Sequence, residues 1–303
     1  MDKLVRPIPK TPPNRKALLF LFLFCGVISF IIWLGTQKKD IKKDSFSWMK
    51  PFRISYLVNQ VNRDTNRGTQ EVLEKIRQKL AVNTGLYGIV VYRLEDKVWY
   101  GINEDVEFKG ASILKVPIMS AASQAGFDKM YGEYSGKQLV FAMGKYSDNE
   151  AAKTIIDSFG EKEIQSIIDD MGMDHTLFSQ NTTTPLDVVE MWKDIYKKPE
   201  IWEYFQDSIF EDRIAPSLNP NIQLIHKVGT DEGVWADSGI IKCQMTNVKC
   251  QIQPYILVIL NKDTKRDEAE KTVPEIAEII VNYEAEYARQ KLPPPASPEG
   301  KLK

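Results

Sequence analysis

At 303 residues and a formal net charge of −1, the chain is long enough for one large domain or two small ones. That charge gives no electrostatic reason to seek a nucleic acid. Two histidines and three cysteines leave almost no ligands for a zinc site, and no clustered carboxylate motif offers a harder metal a home. The hydrophobic share of 43% and charged share of 27% are those of a folded globular protein, and no cofactor or metal is expected.

The first element is not globular. Residues 17–34 read ALLFLFLFCGVISFIIWL, without a charge. As a helix this run spans roughly 27 Å, close to a bilayer's hydrocarbon core. It is long for a signal peptide, and no small-x-small cleavage site precedes Thr36. Cys25 follows Phe24, where lipoprotein processing wants a small residue. Lys3, Arg6, Lys10, Arg15 and Lys16 before the run, against Lys38, Lys39, Lys42 and Lys43 after it, favour a cytoplasmic N-terminus. The expectation is a single-pass cell-membrane protein: a cytoplasmic stretch over 1–16, an uncleaved anchor over 17–35, and a polar, weakly periodic stem over 36–68. A folded extracytoplasmic domain over 69–290 and a Pro-rich disordered tail over 291–303 complete it.

Within the domain, Val72, Leu73, Ile76 and Leu80 recur at helical spacing and predict a helix over 69–80. GLYGIVVYRLEDKVWYGIN reads as two strands around Glu95-Asp96-Lys97. A helix is expected to start near Ser112, another to be capped by Ser147 or Asp148 and to end at Gly160, and EKEIQSIIDDMGM to add a short one. Thr184-Pro185 announces the helix LDVVEMWKDIYKK through a hydroxyl cap and a first-turn proline. NIQLIHKVGT, GVWADSGIIKCQ and CQIQPYILVILNK read as strands, and the chain returns to helix from about Arg266 to Arg289. Strands near both ends with helices between predict an α+β fold: an antiparallel sheet flanked by helices, plus a helical subdomain.

Three short motifs stand in order on this framework: Ser112-Ile-Leu-Lys115, Ser147-Asp148-Asn149 and Lys227-Val228-Gly229-Thr230. Each alone is weak, since Ser112 can merely cap a helix, Ser147 and Asp148 are good caps, and Gly229 can permit a bulge. As an ordered set they resemble S-x-x-K, S-D-N and K-T-G of class A β-lactamases and penicillin-binding proteins. The chain is similar to trimmed, anchored members of that serine hydrolase family, from about Thr69 to Ala288. The resemblance includes the Asn181-Thr-Thr-Thr-Pro185 helix start and the Trp235-Ala-Asp-Ser-Gly-Ile strand.

A serine hydroxyl needs an adjacent base, and Lys115 can serve only while its amine is neutral. Burial and a nearby second cation, Lys227, both push a lysine in that direction. The resemblance implies that Ser147 relays a proton to the leaving nitrogen and that Asn149 holds the substrate amide and the lysine. It also implies an oxyanion hole from the backbone N–H groups of Ser112 and Thr230, with Lys227 and Gly229 lining the substrate-binding strand. His226 adjoins Lys227 in a strand, should face the other side of the sheet, and is read as structural; no G-x-S-x-G elbow supports a Ser-His-Asp triad.

The departures shape the functional expectation. The glutamates between Asn149 and Asn181 are Glu150, Glu161 and Glu163, none in the loop where the family carries the base that activates the deacylating water. Val228 replaces the hydroxyl residue usual in the third motif, removing a bond to a substrate carboxylate that is typically worth ~1.5–3 kcal/mol. The leading expectation is a membrane-anchored hydrolase that acts through an acyl-serine on β-lactams or peptidoglycan-type peptides and deacylates slowly. A penicillin-binding D-alanyl peptidase and a non-catalytic cell-wall-peptide binding domain are the alternatives. Finally, if residues 239–256 form a hairpin, Cys243 and Cys250 fall opposite one another and can form a disulfide outside the cytoplasm.

Overall fold

The computed structural model describes residues 62–244 and 252–291. The apolar run at 17–34, the body of the expected stem, Cys250 and the Pro-rich tail lie outside the described residues. Among the described residues no helix is long and apolar enough to cross a membrane, and no group of His, Cys, Asp and Glu could hold a metal ion.

Helix α1 (Arg67–Leu80) starts on Asn66, whose side chain accepts from Thr69 N, and buries Val72, Leu73 and Ile76. Strands β1 (Leu86–Arg93) and β2 (Val98–Ile102) form the expected hairpin. The end of the segment read as stem lies against this hairpin. Arg63 bridges to Trp99, and Asp64 accepts an ion pair from the buried Arg93.

A long helical excursion follows: α2 (Lys115–Gln124), α3 (Gly136–Tyr146), α4 (Asn149–Phe159), α5 (Glu161–Asp170) and α6 (Pro185–Tyr196). Asp148, rather than Ser147, caps α4, and Thr184 caps α6 with proline in its first turn. Helix α3 is absent from the sequence reading, although its start carries a complete capping box between Ser135 and Gln138. The chain then returns as β3 (Ile222–Asp231), β4 (Val234–Cys243), β5 (Tyr255–Lys262) and α7 (Arg266–Lys291).

The five strands form one antiparallel sheet in the order β2-β1-β5-β4-β3. Alternation along the strands divides the core in two. Ile89, Val91, Leu257 and Ile259 pack with Val72, Ile76, Val273, Ile276 and Ile280 of α1 and α7. Val90, Ile225, Ile256 and Val258 pack with Val116, Met119, Trp192 and their neighbours in the helical excursion. The α+β architecture expected from the order of elements is thus present, and β3 is an edge strand facing the helical part.

The β4–β5 ladder runs from Asp237↔Ile259 to Ile241↔Tyr255 and then stops. Continued, that register would set Cys243 against Gln253; the expected turn and Cys250 lie outside the described residues. Strand β5 also starts later than the sequence suggests, after Pro254, which cannot donate to a ladder. Cys243 is nonetheless disulfide-bonded.

Candidate active site

The nucleophile candidate sits on a tight turn. Residues Ala111–Leu114 form a 3-10 turn that runs directly into α2. Side chains three apart eclipse in such a turn, so the geometry aligns Ser112 with Lys115 better than an α-helical start would. Lys115 Nζ lies 2.7 Å from Ser112 Oγ. Ala111, just before the serine, is held at φ +46°. A side chain in this region costs on the order of 1–2 kcal/mol, a strain imposed by the surroundings at the point where the serine is presented.

Ser147 is positioned by a second left-handed residue conformation. At φ +56° it ends α3 and turns the chain into α4 within two residues. Its hydroxyl lies 3.4 Å from Lys115 Nζ and 2.9 Å from Lys227 Nζ, so it stands between the two amines. Asn149 opens α4 and accepts from Lys115 Nζ at 2.6 Å. Lys227 comes from the edge strand β3 and also donates to Val228 O at 3.2 Å.

The strand meets the nucleophile turn at Gly229. A methyl group there would lie 3.2 Å from Gly110 O and 3.4 Å from Ala111 Cβ, contacts tighter than most Cβ atoms tolerate. Glycine therefore favours the close approach of the strand to the Ser112 turn. Through this contact the Thr230 end of β3 runs beside the Ser112 turn. Of the residues singled out from the sequence, Ser112, Lys115, Ser147, Asn149 and Lys227 are joined by hydrogen bonds, Gly229 lies against the Ser112 turn, and Thr230 follows it on the strand.

Its electrostatics follow from burial. Lys115 is 6% exposed and Lys227 1% exposed. Removal from water lowers Lys115 from 10.5 to about 8, against the attraction of Asp148. Lys227 falls further, to about 7, through burial first and then the neighbouring charge of Lys115, with Asp237 opposing. The hydrogen bonds of both amines among the described residues go to hydroxyl, amide and carbonyl oxygens, none to a carboxylate.

One functional candidate has no trace in the sequence reading. Arg213, wholly buried, donates from Nη1 to Gly229 O at 2.9 Å and from Nη2 to Thr230 Oγ1 at 2.5 Å, and lies 3.8 Å from the Trp235 ring centre. It reaches the third motif from the irregular stretch between 206 and 214, where no periodicity or motif marks it. His226 faces away from Lys227, as alternation requires, and lies between Asp237 and Glu211.

The model of the beta-lactamase enzyme family matches residues 71–130 and 127–284. No curated protein sequence matches the chain. Among solved structures, PBP-A is similar with a TM-score of 0.62 at 18% identity, covering 76% of this chain and 98% of that one. An acyl-enzyme complex of a PBP-A mutant with penicillin G gives 0.61 at 19% identity, covering 74% and 97%. A beta-lactamase from Sphaerobacter thermophilus gives 0.61 at 17% identity, covering 74% and 99%. At these identities the likeness establishes the fold. The match to the family model spans most of the described domain, and the chain belongs to the beta-lactamase enzyme family.

Proposed function

We propose that the chain is an acyl-serine enzyme, held in the cell membrane by residues 17–35 with its domain outside the cytoplasm, that acts on β-lactams or peptidoglycan-type D-alanyl peptides. The observation that carries this reading is the 2.7 Å contact between Ser112 Oγ and a lysine whose burial leaves its amine partly neutral near pH 7. Ser112 Oγ attacks the acyl carbon as its proton passes to Lys115. The tetrahedral oxyanion is received by the backbone N–H groups of Ser112 and Thr230. As the C–N bond breaks, Ser147 gives its proton to the leaving nitrogen and recovers one from Lys115 or Lys227. Arg213, Lys227 and Thr230 attract the substrate carboxylate, and Arg213 compensates for the hydroxyl that Val228 lacks.

Deacylation is slow in this reading. Residues 171–184, ahead of α6, contain Asp174 but no glutamate, and among the described residues no carboxylate hydrogen-bonds to Lys115 or Lys227, so none of these stands ready as a strong base to activate water. The membrane anchor rests on the uncharged length of residues 17–34.

A fluorescent penicillin tests the chemistry. The wild-type chain is expected to carry a covalent label and Ser112→Ala none; equal labelling of the two would remove Ser112 from the mechanism. Alkaline extraction of membranes tests the anchor, and release of the full chain into the soluble fraction would overturn it.

A further inference from the structure

Arg213 raises a question of positioning. It is a buried cation whose guanidinium lies 3.5 Å from Asp212 Oδ1, its neighbour in the chain, and it is carried on a stretch outside regular secondary structure. Something has to hold that stretch against the sheet so that the guanidinium meets Thr230.

The contacts of residues 209–214 identify it. Ile209 N donates to Lys145 O at 3.1 Å, which fixes the early part near α3. Glu211, two residues before the arginine, meets His226 Nε2 at 3.3 Å. Ile214, one residue after it, donates its backbone N–H to Asp237 Oδ2 at 3.2 Å, and Asp237 Oδ1 lies 2.9 Å from His226 Nδ1. One imidazole therefore touches the carboxylates that hold the strap on both sides of Arg213. A neutral ring has one donor nitrogen and one acceptor, so satisfying two carboxylates requires both nitrogens protonated. His226 and Asp237 are both buried, while Glu211 is half exposed.

We infer that His226, with Glu211 and Asp237, is a positioning group that sets the enzyme's preference for carboxylate-bearing substrates by holding the Glu211–Ile214 strap so that Arg213 reaches Thr230. This rests on the acyl-serine reading of the same cleft, and it replaces the purely structural role expected for His226. None of the three residues touches substrate; their effect is transmitted through Arg213. A hydrogen bond to a charged partner is typically worth about tenfold or more in affinity, which sets the size of the preference at stake.

The test is equilibrium binding to the full chain carrying Ser112→Ala, solubilised in detergent. The two probes are N-acetyl-D-alanyl-D-alanine and the same dipeptide with a C-terminal carboxamide. The carboxylate probe is expected to bind about tenfold more tightly than the amide. Adding Glu211→Ala should shrink that ratio at least threefold, Glu211→Gln should restore most of it, and His226→Phe should bring it close to one. Amide binding should stay within about twofold throughout. A merely structural role predicts a fall in melting temperature with the ratio unchanged, and that result overturns the inference. So does a starting chain that shows no preference for the carboxylate. Covalent penicillin labelling of Ser112 in the otherwise native chain separates the two readings: label without a carboxylate preference sinks the positioning role alone, and no label sinks the acyl-serine chemistry.

Discussion

Asp148→Asn isolates the electrostatics of the cleft. The side chain of Asp148 caps α4 by accepting from Ala151 N at 2.8 Å. Asparagine caps a helix as well as aspartate does, so the fold should be retained. The charge that disappears is the one that holds the proton on Lys115. In the proposed mechanism the productive state has Lys227 protonated, to draw the substrate carboxylate, and Lys115 neutral. With Lys227 at about 7 and Lys115 at about 8, acylation should be bell-shaped. Its optimum falls near pH 7.5, where roughly 6% of the enzyme is in the productive state, the two apparent values belonging to the coupled pair. Removing an attraction of about 1 kcal/mol, the lower end for a charge pair at close range, moves Lys115 down by about 0.7 pH unit. The optimum then shifts to about pH 7.1 and the productive fraction rises roughly threefold. The second-order constant for acylation by a fluorescent penicillin, measured from pH 5.5 to 9.5 at fixed ionic strength, reports this. A profile that does not move, or an optimum that moves to higher pH, would refute Lys115 as the base.

Mixing the enzyme with a chromogenic cephalosporin should release about one equivalent of product per chain and then continue slowly; rapid linear turnover would mean that a base for water stands elsewhere in the cleft. His226 gives a stability signature. Burial lowers its proton affinity, but Asp237 and Glu211 outweigh that and raise the imidazole from 6.5 to about 9. A group raised on folding contributes its full stabilisation below pH 6.5 and loses it as pH climbs through 9, here at most about 3 kcal/mol. The melting temperature of the wild type should therefore fall between pH 6.5 and 9.5 more steeply than that of His226→Gln, and parallel curves would contradict the buried imidazolium.

Local chemistry was legible in the sequence wherever the physics is local. The apolar spacing of Val72, Leu73 and Ile76, the Thr184-Pro185 start, the Glu95–Lys97 turn and the alternating runs at both ends prescribe helices and strands through contacts a few residues long. The Ser112, Ser147 and Lys227 motifs, each weak alone, were legible as an ordered set through their resemblance to a known family. Helix α3 was equally local, with Ser135 and Gln138 as its signal, and needed only that the capping box be read.

What the tertiary structure alone decided depends on distance and burial. No spacing foretells that Lys227, 112 residues beyond Lys115, would share the hydroxyl of Ser147 with it, nor that burial would lower Lys227 further than Lys115. Arg213 carries no motif, because its role comes from the sheet edge it is pressed against and not from its neighbours in the chain. Likewise, the register of β5 against β4, with Asp237 opposite Ile259, is one that alternation by itself cannot fix. A sequence fixes propensities and patterns residue by residue. Desolvation, close approach and shared protons exist only once distant segments have removed water from between them.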